Sequence, residues 1–97
     1  MKKLFALQDP RKADARVRDT IKHEVRKYVS RERKKKLPEG FDRWDFACKV
    51  GASAATAERT LLKTTSSAID AVAATGVTEV YVEIVAVPAR RFDAPPS

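Results

Sequence analysis

What this sequence lacks limits its chemistry first. Cys48 is the only cysteine, which excludes an internal disulfide and any multi-cysteine metal site and agrees with a reducing compartment. It reads as core filler. His23 is the only histidine, and no Ser, Cys or Thr is identifiably beside it to act as a nucleophile, so it reads as a surface side chain between Asp19 and Lys27. The three glycines, Gly40, Gly51 and Gly76, fall in no phosphate-cradling pattern, which argues against an NTPase or a dinucleotide enzyme. No apolar run approaches the roughly 20 residues that cross a bilayer. Met1-Lys2-Lys3-Leu4 leads into too short an apolar stretch for a secretory signal. These absences lead to the expectation of a cytosolic, non-enzymatic protein with no cofactor.

What is present is cationic charge, unevenly placed. The 97 residues suit one domain, expected at 1–90 with a flexible tail at 91–97. Folding at this size buries roughly two-thirds of the surface of the unfolded chain. A hydrophobic share of 43% beside a charged share of 34% is globular, which excludes disorder of the whole chain. The net charge of +7 is not spread evenly: residues 1–50 carry 16 Lys and Arg against 8 acids, while residues 51–97 carry 4 against 5. Between Arg11 and Lys36 stand 12 basic and 4 acidic residues. That imbalance points to a polyanionic partner.

The hydrophobic pattern orders the elements. Lys3 to Leu7 reads as a short strand, and Asp9-Pro10 as a helix start in which Asp9 caps backbone N–H groups and Pro10 takes the first turn. Val17, Ile21, Val25, Tyr28 and Val29 then recur at spacings of three and four, forming one apolar stripe. Arg16, Arg18, Lys22, Arg26, Lys27, Arg33 and Lys34 fall around the opposite side. Leu37-Pro38-Glu39-Gly40 ends this helix near Lys36. In Phe41 to Val50 the residues Trp44, Phe46, Cys48 and Val50 alternate with polar or small ones, the pattern of a strand with one face buried. Gly51 closes it. Ser53 or Thr56 is expected to cap a second, nearly uncharged helix with Leu61, Leu62, Thr65, Ala68, Ile69 and Val72 inward and Gly76 as its left-handed stop. Val77 to Val87 is the strongest strand signal, and Pro88 to Ser97 reads as irregular. A β-α-β-α-β order predicts a small two-layer α/β sandwich, with a three-stranded, parallel-paired sheet and both helices on one face. The other sheet face is then open, presenting Asp45, Tyr81 and Glu83, and is a candidate for homodimerisation or ligand contact.

One resemblance spans nearly the whole chain. Arg26-Lys27-Tyr28, Arg31-Glu32-Arg33-Lys34, Leu37-Pro38-Glu39-Gly40, Trp44-Asp45-Phe46 with Cys48, and Tyr81-Val82-Glu83-Ile84 together resemble a family of short, basic bacterial proteins of unknown function. Ala47 stands where that pattern leads one to expect a polar or acidic residue. The resemblance implies a bacterial cytosolic protein and transfers no activity.

Two readings of the basic helix compete. A run of surface charge is commonly only a solvated face, and Asp14 with Arg18 and Glu32 with Lys36 supply helical pairs. Against this, Lys22 with Arg26 and Lys27 with Arg31 set like charges one turn apart, at a cost of a few tenths of a kcal/mol each. A feature that opposes local stability fits a partner better. Trp44 and Phe46 share a face with Cys48 and Val50 and read as core rather than as stacking rings, whereas Phe41 and Tyr81 are better candidates for exposure. Glu39, Asp42 and Asp45 match no metal-loop spacing and are expected to pair with Arg43 or with the basic end of the helix. The sequence thus leads to nucleic-acid binding, RNA ahead of DNA, through Arg18, Lys22, Arg26, Lys27, Arg33 and Lys34, with Lys35 and Lys36 adding reach. The face carries almost no Asn or Gln, so base readout is expected to be weak. The alternative is an adaptor whose helix docks on an acidic protein surface. Attachment to anionic lipid ranks last, because the apolar stripe is committed to the core and carries no Trp or Phe.

Overall fold

Val17, Ile21, Val25 and Val29 repeat every four residues and are buried along one side of a 20-residue helix, α1 (Asp14–Arg33). The computed structural model of the chain describes residues 1–90, and the tail expected at 91–97 lies outside the described residues. Before α1 runs β1 (Lys2–Ala6). After it come β2 (Arg43–Gly51), β3 (Glu58–Thr60), a short 3₁₀ turn at Leu62–Thr64, α2 (Thr65–Ala74) and β4 (Glu79–Ala89). Alternation in β2 buries Phe46, Cys48 and Val50, and in β4 it buries Val80, Val82 and Ile84. With Phe5, Leu7 and Ile69 these side chains and the α1 stripe make one core cluster between the helices and the sheet.

The two-layer α/β architecture agrees with the sequence reading, but the sheet differs from it. The sheet has four strands in the order β1-β4-β2-β3, and every neighbouring pair is antiparallel. The expected parallel pairing fails because β4 inserts between β1 and β2: those two strands point the same way, as a helical crossover requires, yet neither touches the other. The fourth strand, β3, arises because Ser53 and Thr56 fold into a turn instead of capping a helix. Thr56 N–H donates to the Ser53 carbonyl at 3.2 Å, and the two hydroxyls lie 2.9 Å apart. The chain then reverses and pairs Cys48 with Thr60 and Val50 with Glu58.

Four boundaries also move. Asp9 does not cap α1; its carboxylate accepts from Arg11 N–H at 2.8 Å in a separate turn, and α1 starts at Asp14. At the other end α1 stops at Arg33, so Lys35 and Lys36 lie beyond the helix. Helix α2 starts only at Thr65, which leaves Leu61 outside it and exposed. Gly76 follows α2 at φ +86°, the left-handed stop expected of it. Pro88, read as tail, belongs to β4. There β4 has outrun β1, and a strand edge tolerates the missing N–H of proline.

Candidate nucleic-acid interface

The helical periodicity that buries one side of α1 distributes its cations around the rest, and α2 divides them into two groups. Asp70, the only charged residue of α2, reaches α1 with both oxygens: Lys22 Nζ lies 2.8 Å from one and Arg18 Nε 3.3 Å from the other. These two cations are therefore already matched, although Asp70 remains half-exposed, and such pairs are weak in water. One turn further on there is no such acid. Arg26, Lys27, Arg33, Lys34 and Lys36 are exposed and make no ion pair among the described residues. Lys35 pairs with Glu32 at 2.6 Å, and the Glu32 expected to meet Lys36 is taken up there. The Lys35 ammonium first, with the Tyr28 hydroxyl adding to it, holds the Glu32 carboxyl below its usual range.

Three of the unpaired group, Arg26, Arg33 and Lys34, border a groove, whereas Lys27 lies on the other flank of α1 beside Met1, Glu24, Tyr28 and Arg31. Val25 and Val29 of α1 and Leu62 before α2 supply apolar walls, and Arg26, Arg33, Lys34, Ser30, Thr65 and Ser66 line the rest, around about 500 Å³. Arg26 and Arg33 are seven residues apart, so about 10 Å of helix separates their attachment points. The Arg33 guanidinium sits over the Phe46 ring, 5.5 Å from its centre, which fixes one cation by ring contact without neutralising it. The end of α1 is fastened as well: Trp44 Nε1–H donates to the Lys35 carbonyl at 2.9 Å. Trp44 is half-buried on the core side of β2, so it is a fastening rather than a stacking platform. Phe41 is also half-buried, under the Arg90 guanidinium.

The remaining groups supply no catalytic constellation among the described residues. His23 is exposed, in a shallow depression with Arg16, Asp19 and Thr20. Cys48 is buried, and burial pushes its thiol up, away from the thiolate that a nucleophile needs. No three His, Cys, Asp or Glu side chains converge to hold a metal ion among the described residues, and no helix among them is long and apolar enough to cross a membrane. Asp45 spends one oxygen on the N–H of Phe46 at 2.9 Å, instead of pairing with the basic end of α1.

The sequence-derived site is therefore brought together only in part. Arg26, Arg33 and Lys34 share the groove at the end of α1, Lys27 lies on the helix's other flank, Lys36 lies just past the helix, and Arg18, Lys22 and Lys35 are drawn off to carboxylates. Sequence reasoning missed Asp70, whose signal was available as a lone acid in an otherwise uncharged helix. It also missed Ser30 and Ser66, which carry no pattern of their own. A family model described as a family of unknown function (DUF6172) matches residues 1–94. No curated protein and no solved structure matches the chain.

Proposed function

We propose a function for a chain that belongs to this family of unknown function, DUF6172: it binds nucleic acid by its phosphate backbone, through the unpaired cations at the C-terminal end of α1. The observation that carries this reading is the absence of a matching acid. Arg26, Lys27, Arg33, Lys34 and Lys36 stay exposed without an ion pair among the described residues, while Arg18 and Lys22 on the same helix pair with Asp70. A face meant only for solvation gains from internal pairing. One left uncompensated gains most from a chain of phosphates, whose condensed counterions are released on binding. RNA and DNA offer the same phosphates, and RNA stands first because its unpaired segments fit a groove between helices better than a duplex does. Base readout is weak on this reading, since the groove offers hydroxyls and no side-chain amide.

Five phosphate contacts give a slope of log K against log[salt] of about −4 to −5 on duplex and about −3.5 on single strands. Fluorescence anisotropy with labelled RNA and DNA across a salt series measures it. Arg26→Glu with Lys34→Glu should shrink the slope by about two and weaken every sequence alike. Affinity that ignores salt sinks the reading. Equal affinity for poly-glutamate would favour an acidic protein surface as the natural partner instead.

A further inference from the structure

The open face of the sheet is unlike the rest of the molecule. It presents Lys2, Leu4 and Ala6 of β1, Glu79, Tyr81, Glu83, Val85 and Val87 of β4, Arg43, Asp45, Ala47 and Lys49 of β2, and Arg59 of β3, as the strand registers require. Four cations stand there against three carboxylates, so a chain of net charge +7 turns a nearly balanced surface outward on this side. It is also the most apolar exposed surface: Leu4, Val85 and Val87 are 50%, 38% and 42% exposed, three of the four large apolar side chains exposed among the described residues. An open antiparallel face normally alternates to polar residues; this one sets Leu4, Val85 and Val87 among them.

We propose that two copies of this chain meet on that face, sheet against sheet. The charge order selects a second copy over another partner. On β2 the sequence runs Asp45, Ala47, Lys49 along the face, and Ala47 pairs across with Val85 of β4. A two-fold axis lying in the interface along the Ala47–Val85 row reverses the strand direction while keeping β2 over β2 and β4 over β4. Asp45 of each copy then lies over Lys49 of the other, and Val85 lies over Val85. The motif is its own complement, as an isologous contact demands. Glu83 is held apart from this by its own chain: the Tyr81 hydroxyl donates to it at 2.8 Å, and Lys2 and Lys49 flank it in register.

Area sets the strength. The axis leaves β1 and β3 without a counterpart, and the two overlapping strands of 9 and 11 residues tile roughly 320 Å² of sheet at about 3.3 Å per residue and about 4.8 Å between strands. That is short of the roughly 800 Å² per partner of a standard stable interface, so the dimer is weak and concentration-dependent.

Sedimentation velocity on nuclease-treated, nucleic-acid-free protein tests this between roughly 5 and 500 µM, the range that brackets a weak interface. A rising dimer fraction is expected. Asp45→Lys and Lys49→Asp alone each set like charges opposite one another and should weaken association by roughly tenfold. The double swap D45K/K49D leaves the net charge unchanged and should restore it, a rescue that mere loss of folding does not give. Val87→Glu, which the same axis sets over Glu83 of the other copy, should also favour monomer. A chain that stays monomeric throughout, or a dimer that survives all of these substitutions, overturns the proposal. Because R26E/K34E lies on the other layer, it should leave association unchanged whether or not nucleic acid binds.

Discussion

Asp70 determines how much of the cationic face is free. Lys22 lies 48 residues before it in the chain, so the pairing is tertiary, and helical spacing gives no hint of it. Asp70→Asn should release Lys22 and Arg18 for phosphate, steepening the salt slope on duplex by up to about 1.8, at about 0.9 per added contact. The stability lost should stay under about 1 kcal/mol, because the acid is half-exposed. An unchanged slope in the same anisotropy titration would show that other contacts hold the two cations. Gly51 is a second residue whose importance the sequence understates. It reads as the end of a strand, yet it is buried, and a Cβ there would lie 2.6 Å from Ala57 Cα, a backbone atom that cannot swing aside. Gly51→Ala should therefore cost about 1 to 3 kcal/mol, with the melting temperature falling by about 4 to 8 °C per kcal/mol in thermal denaturation followed by circular dichroism.

At the scale of elements, legibility follows the strength of local periodicity. Helix α1 and strands β2 and β4 were readable because Val17 to Val29 repeat by four, Trp44 to Val50 alternate by two, and Val77 to Val87 is rich in β-branched residues. Signals that rest on one or two side chains misled. Asp9-Pro10 and Ser53 with Thr56 have the chemistry of helix caps, but that chemistry serves turns equally well, and here it closes turns. Strand β3 is three residues long, too short for alternation to show, and its existence depends on that second turn. The end of α1 depends on a contact no pattern displays, the Trp44 indole on the Lys35 carbonyl. Trp44→Phe keeps the ring and deletes the donor. It should cost about 0.5 to 1.5 kcal/mol. Hydrogen exchange should rise first at Arg33 to Lys35, and affinity for nucleic acid should fall modestly as Lys34 and Lys36 lose their fixed position. Exchange that rises uniformly along the chain would mean that Trp44 acts through the core instead.

The whole molecule has two sides, and their charges let the proposed binding and the proposed self-association coexist. Its helical layer bears the unpaired cations and its sheet face bears nearly none in excess, so copies that repel through one side can still meet through the other. Stacking two sheets at about 10 Å, with a helical layer outside each, gives a four-layer particle whose cationic faces point in opposite directions about 40 Å apart. On the two proposals together, a monomer has one such face and would hold one strand, and a dimer would hold two. Donor-labelled and acceptor-labelled oligonucleotides of one sequence should therefore show energy transfer when the protein is added at concentrations where it dimerises. The signal should vanish in D45K, in spite of its added positive charge, and return in D45K/K49D. Non-specific condensation of nucleic acid by a cation would give the opposite order, with the most positive variant bridging best. Bridging that tracks net charge rather than the swap would leave the cationic face as a simple counterion and remove the sheet face from its function.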